Sequence, residues 1–600
     1  MHRFGKRILC FFRLSLKISH HCFIDEVSLF STLIPLQNNP TSLSKNNLLP
    51  GKVSYLLLVF CLFWAVIFGL YYPAAKAGFV ADYTGWLDQV KNHSFREFIN
   101  RTHFQAKSLY QLTQFNTWVL YKLLGTSQWL WHLVFVTMHA INGCLLFLFF
   151  SKLMDHAGIK NSSTIAAMGA LLFCVSPYFS EVIVWEPSFH FLQGLMLIML
   201  ILLCAQVFIT TANKVYAYAG LVLYFLSLFS LEIFYITPWL VLSLCFFYNS
   251  FGKVTTRTAI LWSFVPMIAL VAIRFLAYRL LYGDWVSRIG SGTIDMVTAE
   301  SFGKPIKYLF HLLFMGRFLE QATRQDIYSY CDSLSVIVLF YGICALVFFR
   351  ILFSFQKMSG KAKTASLLFV WMMMALLLLT PLWFQPDMLV WFDRYTYFAG
   401  AFFYMLVAVS VSFITVSYVS VGLVALFALL NMRYTIKVAR LWGKSGHIVT
   451  SLLHNIPDDR SKKMILLNLP QCMMGVPMIG AEKNSEYKMM HDLLVPEKIL
   501  TNTVYDGIAY NMLSPTDGAH VNVINDSMVK VTLNQWGTWW WMETKGGYSY
   551  WTSDYNLDLK DPGHWYILTL RKPADQFMLL FNVGDQWKVV DMSKKEVDQN

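Results

Sequence analysis

The side chains best suited to chemistry in this 600-residue chain stand at the ends of long apolar runs. The first group is Gly78-Phe79-Val80-Ala81-Asp82-Tyr83-Thr84-Gly85-Trp86-Leu87-Asp88, directly after such a run. A carboxylate just beyond a helix end faces a membrane surface, and burial of Asp82 against aromatics would raise its pKa toward a value useful for a general base. Asp82 and Asp88 can equally be ordinary loop acids. A second group, Ser176-Pro177-Tyr178-Phe179-Ser180-Glu181-Val182-Ile183-Val184-Trp185-Glu186-Pro187, places Glu181 and Glu186 in one short turn. A third, Leu231-Glu232-Ile233-Phe234-Tyr235-Ile236-Thr237-Pro238, carries one acid and one proline. A fourth, Asp393-Arg394-Tyr395-Thr396-Tyr397, opens a further apolar run. Arg394, with Arg274, Arg279 and Arg288, offers the forked donors that suit a phosphate, although an arginine at a helix end can also simply snorkel to the interface.

His132, His139 and, less closely, Asn142 fall on one helix face, because seven residues make nearly two turns. Two neutral imidazoles can bind a metal, but no carboxylate nearby completes a ligand set. A polar face packed between helices is the simpler expectation.

The elements that must position these groups are membrane helices. The chain is 56% hydrophobic and only 14% charged, where soluble domains carry about 25% charge. Charge-free stretches near 165–180, 191–211 and 366–386 are of a length that spans a hydrocarbon core of about 30 Å. We expect about eleven spans, near 53–74, 128–151, 163–179, 188–210, 216–231, 234–249, 258–281, 333–355, 364–384, 395–412 and 415–434. With the N-terminus cytosolic, the inner loops are short and basic (Lys152, Lys160, Lys214, Lys253, Arg257, Arg350, Lys357, Lys361, Lys363). The net charge of +13 is thereby explained by the positive-inside rule and excludes a nucleic-acid role. Fifteen Asp and Glu residues lie between 53 and 434, and this threading puts all but Asp155 on the outer side. An ionised carboxylate at mid-bilayer costs about 3 kcal/mol on insertion scales, so these acids should line an aqueous mouth or cavity.

Two outer loops are long, 75–127 and 283–332, and each contains amphipathic helical spacing, over 108–124 and around 305–319, suited to lying along the interface. Tyr110 belongs to the first. Residues 1–50 are basic at their start and polar near their end, as expected of a cytosolic tail. From about 441 the composition changes. The run Lys463-Met464-Ile465-Leu466-Leu467-Asn468-Leu469-Pro470 is a buried strand, and the Val-, Thr-, Tyr- and Trp-rich stretch after 521 has repeated turn signals. This predicts a mainly β, α+β soluble domain over 441–600, after a transmembrane domain over 51–440. Trp536, Trp539, Trp540 and Trp541 are either core or a platform on which a sugar stacks. The ten cysteines include no CxxC pair, so they are small apolar residues rather than a metal or disulfide frame.

In order, these segments resemble the C-type (GT-C) membrane glycosyltransferase superfamily, in the branch near the protein O-mannosyltransferases and their bacterial relatives. The residues that carry the resemblance are Asp82 in the first loop, the H-x6-HAxN helix from His132 to Asn142, and the P-x3-E-x3-W turn of Pro177, Glu181 and Trp185. Glu232 with Pro238 and the run Asp393-Arg394-Tyr395-Thr396-Tyr397 complete it. The resemblance covers 53–434. It implies a polytopic GT-C-like fold and transfer of a sugar, with inversion, from a polyprenyl-phosphate donor to a glycan, lipid or protein acceptor at the extracytoplasmic face. It implies Asp82 as general base within a catalytic set completed by Glu181, Asp88 and Glu186. Arg394, Asp393, Arg279, Glu232, His132, His139 and Tyr110 would bind substrate, and neither a metal nor another cofactor is called for. A bacterial inner membrane, with the catalytic loops and C-terminal domain facing the periplasm, is the expected location. Two departures bear on the acceptor: Tyr83 follows Asp82 where many members pair two acids, and the tail lacks the repeats of eukaryotic members. A transporter or flippase of lipid-linked saccharides, or an inactive glycan-binding scaffold, are the alternatives.

Overall fold

The computed structural model describes residues 49–80, 83–100, 111–230, 235–252, 256–283, 285, 297–314, 319–382, 393–414, 417–457, 459–480, 485–538, 548–560 and 563–593. Asp82, Tyr110, Glu232, Arg288, the tail up to 48 and the tryptophans Trp539, Trp540 and Trp541 lie outside them.

The first two-thirds of the chain is helical. α1 (Leu49–Tyr71) ends at a 3-10 turn, Tyr72–Ala74, with Pro73 at its second position. α2 (Tyr83–Asn92) and α3 (Gln111–Leu124) belong to the first long loop. α4 (Gln128–His156), α5 (Ser162–Cys174), α6 (Ser180–Val184), α7 (Phe189–Thr211), α8 (Lys214–Ser227), α9 (Thr237–Asn249) and α10 (Val265–Tyr282) follow. The second long loop folds into α11 (Lys304–Phe314) and α12 (Gln321–Cys331), and α13 (Leu334–Ser354), α14 (Gly360–Leu377), α15 (Thr396–Val411) and α16 (Ser417–His454) complete the bundle.

Among the described residues, eight helices are long and apolar enough to cross a membrane, or nine if α5 and the helical segment 177–184, bent by 53°, make one span. The protein is thus a polytopic α-helical membrane protein. The difference from about eleven expected spans lies in α8 and α9, which have 14 and 13 residues, against the roughly 20 a straight span needs. Pro238, at the start of α9, and the acid Glu232 interrupt what would otherwise be continuous apolar sequence. The last expected span is only the first half of α16. That helix has 38 residues and continues without a break through Arg433, Lys437, Arg440 and Lys444 into the C-terminal unit.

The break between α5 and α6 is the local feature that matters most. Pro177 stops the helix, and the carbonyls it frees must find donors away from water. Three consecutive carbonyls are met by three different helices. His139 Nε2 of α4 lies 3.3 Å from the Cys174 carbonyl, Thr435 Oγ1 of α16 donates to Val175 at 2.8 Å, and Tyr71 Oη of α1 donates to Ser176 at 3.4 Å.

The C-terminal unit is β-rich, as its sequence predicts. β1 (Lys463–Met473) is buried from Met464 onward and sits centrally. It pairs in parallel with β3 (Val504–Met512) on one side and with β9 (Phe577–Val583) on the other, while β2 (Val476–Pro477) folds back on its end and β10 (Gln586–Val589) extends the far edge. α17 (Glu486–Leu494) lies in the crossover that parallel pairing of β1 and β3 requires. A second, wholly antiparallel sheet runs β4 (His520–Asn525), β5 (Met528–Thr532), β8 (Trp565–Leu570), β7 (Tyr555–Lys560) and β6 (Tyr550–Trp551). The two units have separate apolar cores, but Val476 and Leu493 of the C-terminal unit belong to the core of the helical bundle.

Candidate active site

Because the chain is broken at Pro177, Glu181 enters the first turn of the short helix α6 rather than continuing along a span. Ser176 Oγ accepts from the Tyr178 amide at 3.4 Å, so Ser-Pro acts as cap and first helical residue. Glu181 is fully buried. The second group arrives from the turn 393–395 at the start of α15, where Thr396 Oγ1 donates to the Asp393 carbonyl at 2.7 Å. Arg394 grips Glu181 twice: its backbone amide donates to Oε2 at 2.9 Å and its Nη1 to Oε1 at 3.0 Å. The guanidinium also lies 5.0 Å from the Trp185 ring and 4.8 Å from the Tyr395 ring. Such a planar cation, covered by rings and anchored at one edge, has little freedom left.

A third element completes the cluster. α11 turns Lys307, Tyr308, His311 and Leu312 inward, while Leu313 stays exposed. His311 Nε2 lies 3.0 Å from Asp393 Oδ1 and its Nδ1 lies 3.0 Å from the Tyr328 hydroxyl of α12. The Tyr178 ring packs on the same imidazole, centroids 4.3 Å apart. Burial pushes the Tyr308 phenol well above its ordinary value, with Tyr395 adding to the effect and Arg394 opposing it, so Tyr308 stays a hydrogen-bond donor at neutral pH. Lys307 is paired with Asp332 at 2.6 Å. Carboxylates, a guanidinium, an imidazole and phenols from residues 178–185, 307–328 and 393–395 therefore meet in a water-poor place, where charge interactions are stronger than in solvent.

Of the sequence-predicted residues, the structure brings Glu181, Asp393 and Arg394 together. Glu186, one short turn beyond Trp185, is buried, and its Oε2 meets no hydrogen-bond partner among the described residues. His139 is fully buried: besides the Cys174 carbonyl it meets Tyr397 Oη at 2.9 Å, and Asn142 Nδ2 donates to the same hydroxyl at 3.0 Å. This is the packed polar face between helices, with His139 serving the broken helix. His132 is buried on the same helix, its ring 6.5 Å from that of Trp129. Asp88 accepts from Asn92 Nδ2 at 2.7 Å within α2. Arg279 is exposed on α10, with its guanidinium 5.8 Å from the Trp285 ring, and no described contact joins it to the Glu181–Arg394 pair. Among the described residues no group of three His, Cys, Asp or Glu is placed to hold a metal ion.

Sequence reasoning missed His311, Tyr308 and Tyr328. The available signal was the spacing Lys307, Tyr308, His311, a polar stripe on a helix otherwise judged to lie along the interface. Only the fold shows that this stripe faces inward.

No family model and no curated protein matches the chain. Several solved structures are similar to it. The oligosaccharyltransferase of Archaeoglobus fulgidus in its apo form has 13% identity and a TM-score of 0.39, over 76% of this chain and 65% of that one. Oligosaccharyltransferase AglB of the same archaeon, in complex with an inhibitory peptide and a dolichol-phosphate, has 12% identity and a TM-score of 0.37, over 75% and 65%. ArnT from Cupriavidus metallidurans bound to undecaprenyl phosphate has 12% identity and a TM-score of 0.30, over 78% and 96%. The chain thus spans 65% of the length of the archaeal oligosaccharyltransferases.

Proposed function

We propose that this chain is a GT-C-type membrane glycosyltransferase that moves a sugar from a polyprenyl-phosphate donor to a saccharide, lipid or protein acceptor at the extracytoplasmic face. The observation that carries the proposal is the Glu181–Arg394 pair with Asp393 and His311 beside it. The motif residues of two distant segments meet there, at the ends of spans rather than in their middle.

In this reading Asp82 takes the proton of the acceptor hydroxyl as its oxygen bonds to the anomeric carbon. The bond from that carbon to the phosphate oxygen breaks on the opposite face. Its electron pair leaves with polyprenyl phosphate, and the configuration inverts. Arg394 holds the phosphate as negative charge grows on it, and Glu181 fixes the guanidinium in place. Asp393, oriented by His311 and Thr396, sets the turn from which Arg394 projects. Glu186 would accept a hydrogen bond from a substrate hydroxyl. Asp88, Glu232, His132, His139, Tyr110 and Arg279 remain proposals of the motif pattern.

The test is incubation of the purified protein with radiolabelled polyprenyl-phosphate sugars and a cell-envelope extract. Acceptor-dependent appearance of label in a product, with release of polyprenyl phosphate, supports the proposal. Movement of intact lipid-linked sugar between leaflets without cleavage would replace it by a transporter.

A further inference from the structure

The C-terminal unit takes hold of the first long loop from both sides. Upstream of Asp82, the turn at 72–76 runs against α16 and Ala77 meets the same helix, while Phe79 packs on Trp131 of α4, ring centroids 5.9 Å apart. Ala77, Phe79 and Val80 are buried. A Cβ on Gly443 of α16 would stand 2.3 Å from the Pro73 carbonyl oxygen, and one on Gly446 would stand 2.1 Å from the Ala77 oxygen and 2.4 Å from its carbon. Real Cβ atoms do not come so close, and the obstacle is backbone, which cannot rotate aside. Downstream of Asp82, α2 packs against α17 of the C-terminal unit, whose Leu493 is part of the bundle core. The flank before the candidate base thus rests on α16, the helix that runs on into the C-terminal unit, through two glycines, and the flank after it rests on α17.

We infer that Gly443 and Gly446 are positioning residues: by admitting the backbone of residues 73–77 they let the C-terminal unit fix the loop that carries the general base. The contact is independent of the reaction, whereas its consequence for turnover rests on the glycosyltransferase proposal. Gly422, on the same helix, is a built-in control, because a Cβ there meets no atom within 4 Å.

The experiment uses the full-length protein in detergent or nanodiscs, with hydrogen exchange of peptides from 77–92 read beside the transfer assay. Gly446→Ala should exchange about tenfold faster in that region and lose about 10²-fold in turnover through misplacement of the base, with donor KM unchanged. Gly422→Ala should alter neither. Gly443→Ala, whose Cβ would meet only the Pro73 carbonyl group, should speed exchange in the same region and so serves should Gly446→Ala fail to fold. Wild-type exchange in Gly446→Ala, or the same acceleration in Gly422→Ala, would overturn the inference. Absence of transfer by the wild type would sink the glycosyltransferase proposal alone, since exchange still reports whether the glycines hold the loop.

Discussion

Arg394 and Glu181 form a pair whose value depends on both being present. Glu181 has no exposure and the Arg394 side chain only 13%, so removing one partner leaves an uncompensated charge in a poor dielectric. Glu181→Ala should destabilise the protein by about 3–5 kcal/mol, read as an earlier denaturation midpoint of the solubilised protein. The pair itself was legible in part. Its two motifs were recognisable as chemistry-bearing turns, but nothing in either segment says that a backbone amide and a guanidinium nitrogen would take the two oxygens of one carboxylate. His139 shows the opposite case. Its spacing to His132 suggested a binding face, yet its ring nitrogens meet the Cys174 carbonyl and the Tyr397 hydroxyl, because a helix broken at Pro177 needs a donor for that carbonyl. Pro177 was visible in the sequence; the use of a histidine to repair the break was not.

Helices and strands were legible in proportion to how strongly their pattern depends on their own residues. β1 is apolar except for Lys463, Asn468 and Gln471 and is found where its residues predict. α8 and α9 fill two expected spans with helices too short to cross straight, and α16 overruns its expected end, since hydropathy does not register a helix that leaves the membrane intact. The two sheets are tied together by a feature no local pattern contains. Asp554, before β7, meets Lys463 of β1 at 2.7 Å, Lys572 at 2.5 Å and the Tyr505 hydroxyl of β3 at 2.5 Å. Burial by itself would raise the Asp554 carboxyl, but the lysines and the phenol outweigh it and hold it well below the usual carboxylate range. A carboxyl depressed in the folded state stabilises above its unfolded pKa of about 3.9. That contribution is lost as pH falls from there through the folded value. Asp554→Asn should therefore lower the thermal midpoint at pH 7 and flatten its decline under strong acid, measured by melting curves from pH 7 to pH 2.

At the scale of the molecule, the proposal requires one face to carry the acids and the other the short basic loops. Asp326 and Lys357 are both exposed, on either side of α13. In sealed right-side-out vesicles, a cysteine at Asp326→Cys should react with an impermeant maleimide and one at Lys357→Cys only after lysis, the cysteines at neither position being native. The reverse pattern would move the whole cluster to the cytosolic side. The bundle and the C-terminal unit share core residues, so the site is a property of the full chain rather than of any span. The most direct measurement is the initial rate of sugar transfer by Arg394→Ala beside the wild type, at equal folded protein. A drop of about 10²-fold or more, of the size seen when a transition-state hydrogen-bond donor is removed, is the predicted result. A variant that folds and transfers sugar at the wild-type rate would contradict the assignment of this cluster as the active site.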